Sequence, residues 1–259
     1  MCILAIQYRL VPEAPILVAM NREERYDRPT VAPAIQSGKP RILCGLDQQA
    51  GGTWLGVNQH GLFVAACNRH KPTPPLSPRS RGLLCREILR ASSARQAVDM
   101  AMDELSTPDK YAGVNFVVAD AESGWVVHGG DELEAVQLDE GLSIICNGDV
   151  NDPRDERAKL AKRLLTLQTL DSPVKFLAVA SKVFARSPAG PDRPNMVIRN
   201  AERGTVSSTL IALGKKPRDA IFQYASDAPD KAKYEDYSPF LRDILSRGLR
   251  ESRTTKAKA

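Results

Sequence analysis

Apolar and polar positions fall into short blocks along this chain, and the blocks switch between strand and helix periods. Residues 2–8 and 15–20, CILAIQY and PILVAM, are apolar runs separated by VPEA and predict a hairpin of two buried strands. A charged cluster, NREERYDRP, follows at 21–29, and a stretch rich in Pro, Gly and Lys predicts loop to about residue 42. Residues 53–67 predict two strands about a turn at Gln59–Gly61. The Pro-rich KPTPPLSP at 71–78 cannot hold regular structure. Over 83–105, Leu84, Ile88, Leu89, Val98, Met102 and Leu105 recur at helical spacings, with Ser92 and Ser93 weakening the middle. A second strand pair is expected at 113–119 and 124–128, and a short strand at 142–146. Helices are expected at 155–170 and 173–185, the second with Ser172 as N-cap and Pro173 in its first turn. SPAGPDRP at 187–194 is a break before strands at 205–213 and 219–225, and a weak helix is expected near 239–249. Strand pairs with helices between them, without repeat or linker, predict one α+β domain over 1–259 with helices packed on sheets. Residues from about 250 to 259 read as a flexible basic tail.

Composition narrows the class. Hydrophobic residues at 42% and charged residues at 26% exclude a wholly disordered chain, a collagen and a coiled-coil rod. No apolar run approaches the roughly 18 residues of a membrane span, so no transmembrane segment is expected. MCILAIQYRL lacks the basic region and cleavage site of a signal peptide. The charge of +5 favours an anionic ligand, while aromatics at 5% and the absence of zinc-finger spacing point away from nucleic acid. Five cysteines, an odd number with no CxxC, fit neither a disulfide framework nor a zinc site. A reducing, cytoplasmic location is therefore expected, with no metal centre. Strand edges left open would allow a homodimer.

Candidate chemistry begins at Cys2. If Met1 is removed, Cys2 carries both a thiol, with a pKa of about 8.5, and a free α-amine of about 7.7–8.0. The amine can then act as the base for its own nucleophile, without a histidine. Asn21-Arg22-Glu23-Glu24 lies directly after strand 15–20. If the two first strands pair, a carboxylate there can hold the Cys2 ammonium, and an Arg can lower the thiol pKa or bind a substrate anion. A solvated turn with local salt bridges is the plainer reading of that cluster. In Gly51-Gly52-Thr53-Trp54-Leu55-Gly56-Val57-Asn58, glycines around Trp54 mark turns and close backbone approach.

These blocks together resemble the NRDE family, also called the transport-and-Golgi-organisation family. The resemblance rests on the N-terminal Met1-Cys2 strand, Asn21 to Glu24 with Arg28-Pro29, Gly45-Leu46-Asp47, Gly51 to Gly56, and Asn68 at a strand end. Ser80-Arg81-Gly82, Tyr111 to Asn115, and Gly204-Thr205 with Ser207, Ser208 and Thr209 continue it in order to about residue 213. The resemblance implies a four-layer αββα fold of the N-terminal-nucleophile hydrolase kind, two antiparallel sheets between helices. It also implies a cysteine nucleophile acting on a non-peptide amide or thioester, with no cofactor.

By motif order, the resemblance assigns catalytic roles to Cys2, Glu23, Asn68 and Asn147. Cys2 attacks a carbonyl carbon, Glu23 orients the Cys2 amine, Asn68 Nδ2 stabilises the oxyanion, and Asn147 holds the amine or substrate. Asn21, Arg22, Arg28, Trp54 and His70 are the candidate ligand-binding residues. Asn58 and Asn115 are expected to be structural, and His60 a turn residue. Three positions depart from the family pattern: Glu23 stands where Asp is usual, Val206 where hydrolases of this class place an Arg, and GDVNDPRDER at 148–157 lacks a Trp. A charge that tunes the thiolate is therefore expected to be missing from position 206. The family is also associated with heme mobilisation and with lipid or acyl-CoA metabolism. The alternative is thus a non-catalytic heme, acyl-CoA or lipid carrier on the same scaffold, with His70 or Cys2 as the heme ligand. In either case the partner is a small molecule, and Arg22, Arg25 and Arg28 favour an anionic one such as an acyl-CoA, an acyl amino acid or heme.

Overall fold

A computed structural model describes residues 2–187 and 194–256. Its strands are β1 (Ile3–Tyr8), β2 (Ile16–Arg25), β3 (Thr30–Gln36), β4 (Ile42–Asp47), β5 (Leu55–Asn58), β6 (Phe63–Asn68), β7 (Val114–Ala119), β8 (Gly124–Gly129), β9 (Leu133–Gln137), β10 (Gly141–Ile145), β11 (Arg203–Leu213), β12 (Ile221–Ala225) and β13 (Glu235–Asp236). The helices are α1 (Arg81–Ile88), α2 (Ala94–Leu105), α3 (Glu156–Leu165), α4 (Pro173–Phe184) and α5 (Ser238–Lys256).

One antiparallel sheet has six strands in the order β10-β1-β2-β11-β12-β13, and the other has seven, β3 through β9 in sequence. The sheets face each other. Because side chains alternate across a strand, Leu4 and Ile6 of β1 and Val18 and Met20 of β2 enter the core between the sheets. Their neighbours Ile3, Ala5, Leu17 and Ala19 pack outward beneath α3 and α4. The helices α1 and α2 cover the outer face of the second sheet through Leu84, Ile88, Ala97 and Ala101. The result is the four-layer αββα sandwich, and α5 closes the inter-sheet core with Leu241, Ile244 and Leu245. Burial on both faces explains why Ile3–Ile6 of β1 read as successive apolar residues rather than an alternating pattern.

Several local expectations need correction. The cluster at 21–29 is not a turn over its first half: β2 runs on to Arg25, with Asn21, Arg22 and Glu23 all buried. The stretch read as loop to residue 42 contains β3, a half-exposed edge strand whose Pro33 sits at an irregularity in its pairing with β4. Proline is tolerated there because an edge strand leaves one row of N–H groups unpaired. Strands β4 and β9 carried no distinct prediction. The helical stretch 83–105 is two helices, divided where Ser93 caps α2 by accepting from Gln96 N. The tail expected to fray is helical to Lys256, and Glu251 anchors it to Arg41 at 2.8 Å and to Gln59 Nε2 at 2.7 Å. Residues 257–259, and most of the break at 187–194, lie outside the described residues. Ser172 caps α4 and Pro173 opens it, as the local pattern requires.

Candidate active site

Antiparallel pairing of β1 with β2 sets Ile3 opposite Asn21. Continued by one residue, that register sets Cys2 opposite Arg22. Strand alternation then aims Cys2 and Arg22 into the space between the sheets, and Asn21 and Glu23 toward the helices behind. Cys2 is 5% exposed and lines a cavity of about 340 Å³ together with Arg22, Glu24, Arg28, Trp54 and Asn68.

The Cys2 thiol is held well below its usual pKa. The largest cause is a hydrogen bond from the Cys67 thiol; burial opposes it, and the Glu23 backbone N–H and the Arg22 charge assist. Cys67 moves the other way, pushed up by its bond to Cys2 and by burial. Within the pair, the thiolate form is favoured at Cys2 and the thiol form at Cys67. Two positive charges lower the thiol pKa, the chain's N-terminal ammonium first and Arg22 after it. Val206, the position expected to leave that charge missing, falls at a bulge where β11 steps from Thr205↔Glu23 to Ser207↔Arg22.

Arg22 is 6% exposed and lies over Trp54, 4.4 Å from its guanidinium carbon to the ring centroid. Its nearest carboxylate oxygen is Glu24 Oε2, at 3.6 Å. Arg28 grips both oxygens of Asp47, at 2.6 and 3.2 Å. Glycines interlock these motifs. A Cβ on Gly45 would lie 2.4 Å from the Trp54 ring, and one on Gly52 would lie 2.2 Å from the Gly82 carbonyl carbon. The Gly45-Leu46-Asp47 block thus makes room for Trp54, and the Gly51–Gly56 block seats directly on the Ser80-Arg81-Gly82 turn.

Behind the strand, Glu23 is held by Arg157 of α3, with Nη1 at 3.0 Å from Oε2 and Nη2 against Oε1. Burial raises its pKa to about 7 against the pull of Arg157. Asn21 Nδ2 donates to the carbonyls of Phe184 and Met196, at 2.9 Å each. That places Asn21 as a clamp between β2 and the helix layer rather than at the cavity wall.

Asn68 ends β6 at the wall. Asn147 lies on the loop after β10, outside the lining, and its carbonyl accepts from His70 N at 3.0 Å. His70 is exposed and does not line the cavity. The Asn147 loop is fixed by Asn115, whose Nδ2 donates to the carbonyls of Cys146 at 3.1 Å and Gly148 at 2.8 Å. Asn115 Oδ1 therefore accepts from His128 Nδ1 at 2.8 Å, which places the imidazole proton on Nδ1. Asn58 holds a turn, accepting from His60 N at 2.8 Å and donating to Ala91 O at 2.7 Å.

A heme site needs an axial ligand in an apolar slot. No histidine lines the Cys2 cavity, so of the two heme ligands expected only Cys2 stands at its wall, among arginines and carboxylates rather than in an apolar slot.

The family model for "Transport and Golgi organisation 2" matches residues 1–217. The chain belongs to the Transport and Golgi organisation 2 family. The Transport and Golgi organization protein 2 homolog of Bos taurus is 32% identical over 143 residues, 49% of this chain and 49% of the relative. The Mus musculus homolog is 31% identical over 134 residues, 46% of this chain and 45% of the relative. The chain thus spans about half the length of the relatives it matches.

Among solved structures, a Caenorhabditis elegans ortholog of N-acylethanolamine-hydrolyzing acid amidase superposes with a TM-score of 0.52 at 14% identity. It covers 81% of this chain and 92% of that one. The C2A mutant of conjugated bile acid hydrolase from Clostridium perfringens gives 0.50 at 10% identity, over 92% and 93% of the two chains. Penicillin V acylase from Agrobacterium tumefaciens gives 0.50 at 14%, over 87% and 83%. At these identities the likeness shows the N-terminal-nucleophile hydrolase fold.

The Transport and Golgi organisation 2 match covers every cavity residue named above, whereas α5 lies outside it. Four residues at or behind the site were not singled out by the sequence: Asp47, Cys67, Arg81 and Arg157. Asp47 and Arg81 sat inside recognised blocks, but their chemistry was invisible until their partners were known. Arg157 lies 134 residues from Glu23, and no local pattern links them.

Proposed function

We propose that this protein is a cysteine hydrolase of the N-terminal-nucleophile kind, acting on a small-molecule amide or thioester. The observation that carries the proposal is the placement of Cys2, a depressed-pKa thiol at the wall of a cavity beside a buried guanidinium and a strand-end asparagine. The names of the structural neighbours, an acid amidase, a bile acid hydrolase and an acylase, support it.

Removal of Met1 frees the Cys2 α-amine. The thiol proton passes to that amine, and sulfur bonds to the substrate carbonyl carbon. Asn68 Nδ2 donates to the resulting oxyanion. As the oxyanion collapses, the carbon–nitrogen or carbon–sulfur bond breaks, and the leaving group takes the proton from the ammonium. Water, deprotonated by the same amine, then adds to the thioester and releases the acid. Glu23, pinned by Arg157 beside the start of β1, holds the ammonium form in place.

The test is intact-mass trapping with an acylating β-lactam. We compare protein shown to begin at free Cys2, the same protein retaining Met1, and Cys2→Ala. An adduct on Cys2 only in the first supports the mechanism. Equal labelling with Met1 retained, or hydrolysis that survives Cys2→Ala, overturns it.

A further inference from the structure

The cavity beside Cys2 holds four arginines, and three of them are answered by carboxylates. Arg22 faces Glu24 at 3.6 Å. Arg28 grips Asp47 at 2.6 Å. Arg79 is neutralised outside the cavity by Glu87 at 2.5 Å and Glu104 at 3.1 Å. Glu23, whose side chain lies behind the strand, is spent on Arg157. Arg81 is left over. It has no ion-pair partner within 4.0 Å among the described residues, and its one hydrogen bond runs from Nη1 to Gly113 O at 2.8 Å. Among the described residues, the remaining N–H donors of its guanidinium meet no protein acceptor.

Burial of that guanidinium disfavours its charge, so its placement is a cost to folding. Nor does its own helix compensate. Arg81 opens α1, whose first turn has no acidic residue, and a cation there gains nothing from the helix dipole. The position is nevertheless tightly built. Gly52 packs on Gly82 so closely that a Cβ would strike backbone, and Thr53 N donates to Gly82 O at 2.9 Å. Gly113, which holds the guanidinium, is pressed against the Arg69 carbonyl, one residue beyond Asn68. Arg81 is therefore fixed relative to both the proposed nucleophile and the proposed oxyanion donor, and it lines the same cavity as they do.

We infer that Arg81 is the specificity residue of this site and takes an oxyanion carried by the substrate, a carboxylate or a phosphate. A planar guanidinium with a free edge matches either group bidentately. The inference rests on the cysteine-hydrolase reading for its substrate class, an acyl amide or acyl thioester bearing that anion. A substrate anion would answer the guanidinium donors of Arg81 that the carboxylates of the wall leave open.

The experiment uses matched pairs that differ only in the anion: N-hexanoylglycine against N-hexanoylethylamine, and S-hexanoyl phosphopantetheine against S-hexanoyl pantetheine. The kcat/KM ratio of the anionic to the neutral member is read for wild type, Arg81→Gln and Arg81→Lys, each checked for a wild-type melting temperature. The expected result is a ratio at least tenfold lower in Arg81→Gln, carried by KM, with partial rescue in Arg81→Lys. The pair that shows it tells carboxylate from phosphate. An unchanged ratio in both pairs overturns the inference. If wild type turns over neither pair, the hydrolase reading fails separately. Calorimetric binding of the same compounds to wild type and Arg81→Gln then decides the anion site, and equal affinities overturn it.

Discussion

The guanidinium of Arg22 lies 4.4 Å above the ring of Trp54, and this contact joins two motifs that are 32 residues apart in the chain. The flat ring stacks on the flat cation, restricts its rotamers and shields one face from water. The charge is thereby kept beside Cys2 at the place where a thiolate forms.

Arg22→Gln should raise the Cys2 thiol pKa and slow its alkylation by iodoacetamide at pH 7 by about threefold to tenfold. Trp54→Leu should move the rate–pH profile in the same direction but less far. Identical profiles for all three proteins would remove Arg22 from the account of the thiolate.

The pair Glu23–Arg157 is buried and joins β2 to α3. Arg157→Ala leaves an uncompensated buried carboxylate and should destabilise the fold by about 3–5 kcal/mol in urea denaturation. The double change Glu23→Gln with Arg157→Met should recover much of that loss. A double variant no more stable than Arg157→Ala would show that α3 docking, not the charge, is what Arg157 supplies.

Burial, and then the nearby Arg69 charge, push the His128 pKa down to about 4 from 6.5. The neutral ring is the native form, so the unfolded chain takes up the proton first as pH falls. The contribution is complete above pH 6.5 and is lost progressively toward pH 4, about 2 kcal/mol of it by pH 5. His128→Gln should remove that part of the acid sensitivity when unfolding is compared at pH 7.5 and pH 5. The Asn147 loop, held through Asn115, should loosen in the wild type over the same range, seen as faster amide exchange at 146–149.

Gly52→Ala places a methyl group against the backbone of Gly82 and Leu83. It should cost at least about 1–3 kcal/mol of thermal stability and should lower turnover of any substrate that Arg81 binds. A melting temperature equal to wild type would mean that the two turns separate without penalty.

Asn68→Ala should reduce kcat by about 100- to 1,000-fold with the fold intact, the usual cost of losing one oxyanion donor. Asn147→Ala should cost far less, because Asn147 stands outside the cavity wall. The reverse order would exchange the two roles.

Much of the architecture was legible in the chain. Apolar residues in succession without alternation, as in Ile3–Ile6 of β1, mark strands covered on both faces, and Ser172-Pro173 marks a helix start from local chemistry alone. The family motifs named Cys2, Arg22, Arg28, Trp54 and Asn68, and all five line one cavity. Edge strand β3 was not legible, because a half-exposed strand with a proline has the composition of a loop. Nor was the strand character of Asn21–Glu24. Four polar residues read as solvated until β11 and the helix layer supply Phe184 O, Met196 O and Arg157 as partners.

The sequence by itself determined the family, the strand–helix alternation and the place of Cys2 at the head of the first strand, because these are written in local periodicity and in short motifs. Only the tertiary structure decided which charges are answered. Glu23 and Arg157, Arg28 and Asp47, Arg22 and Trp54 meet through strand register and sheet packing, and whether a guanidinium is paired or left open depends on those distances. Arg81 is one arginine among many in the chain. It lacks an ion pair among the described residues only because folding assigns the neighbouring carboxylates to other partners.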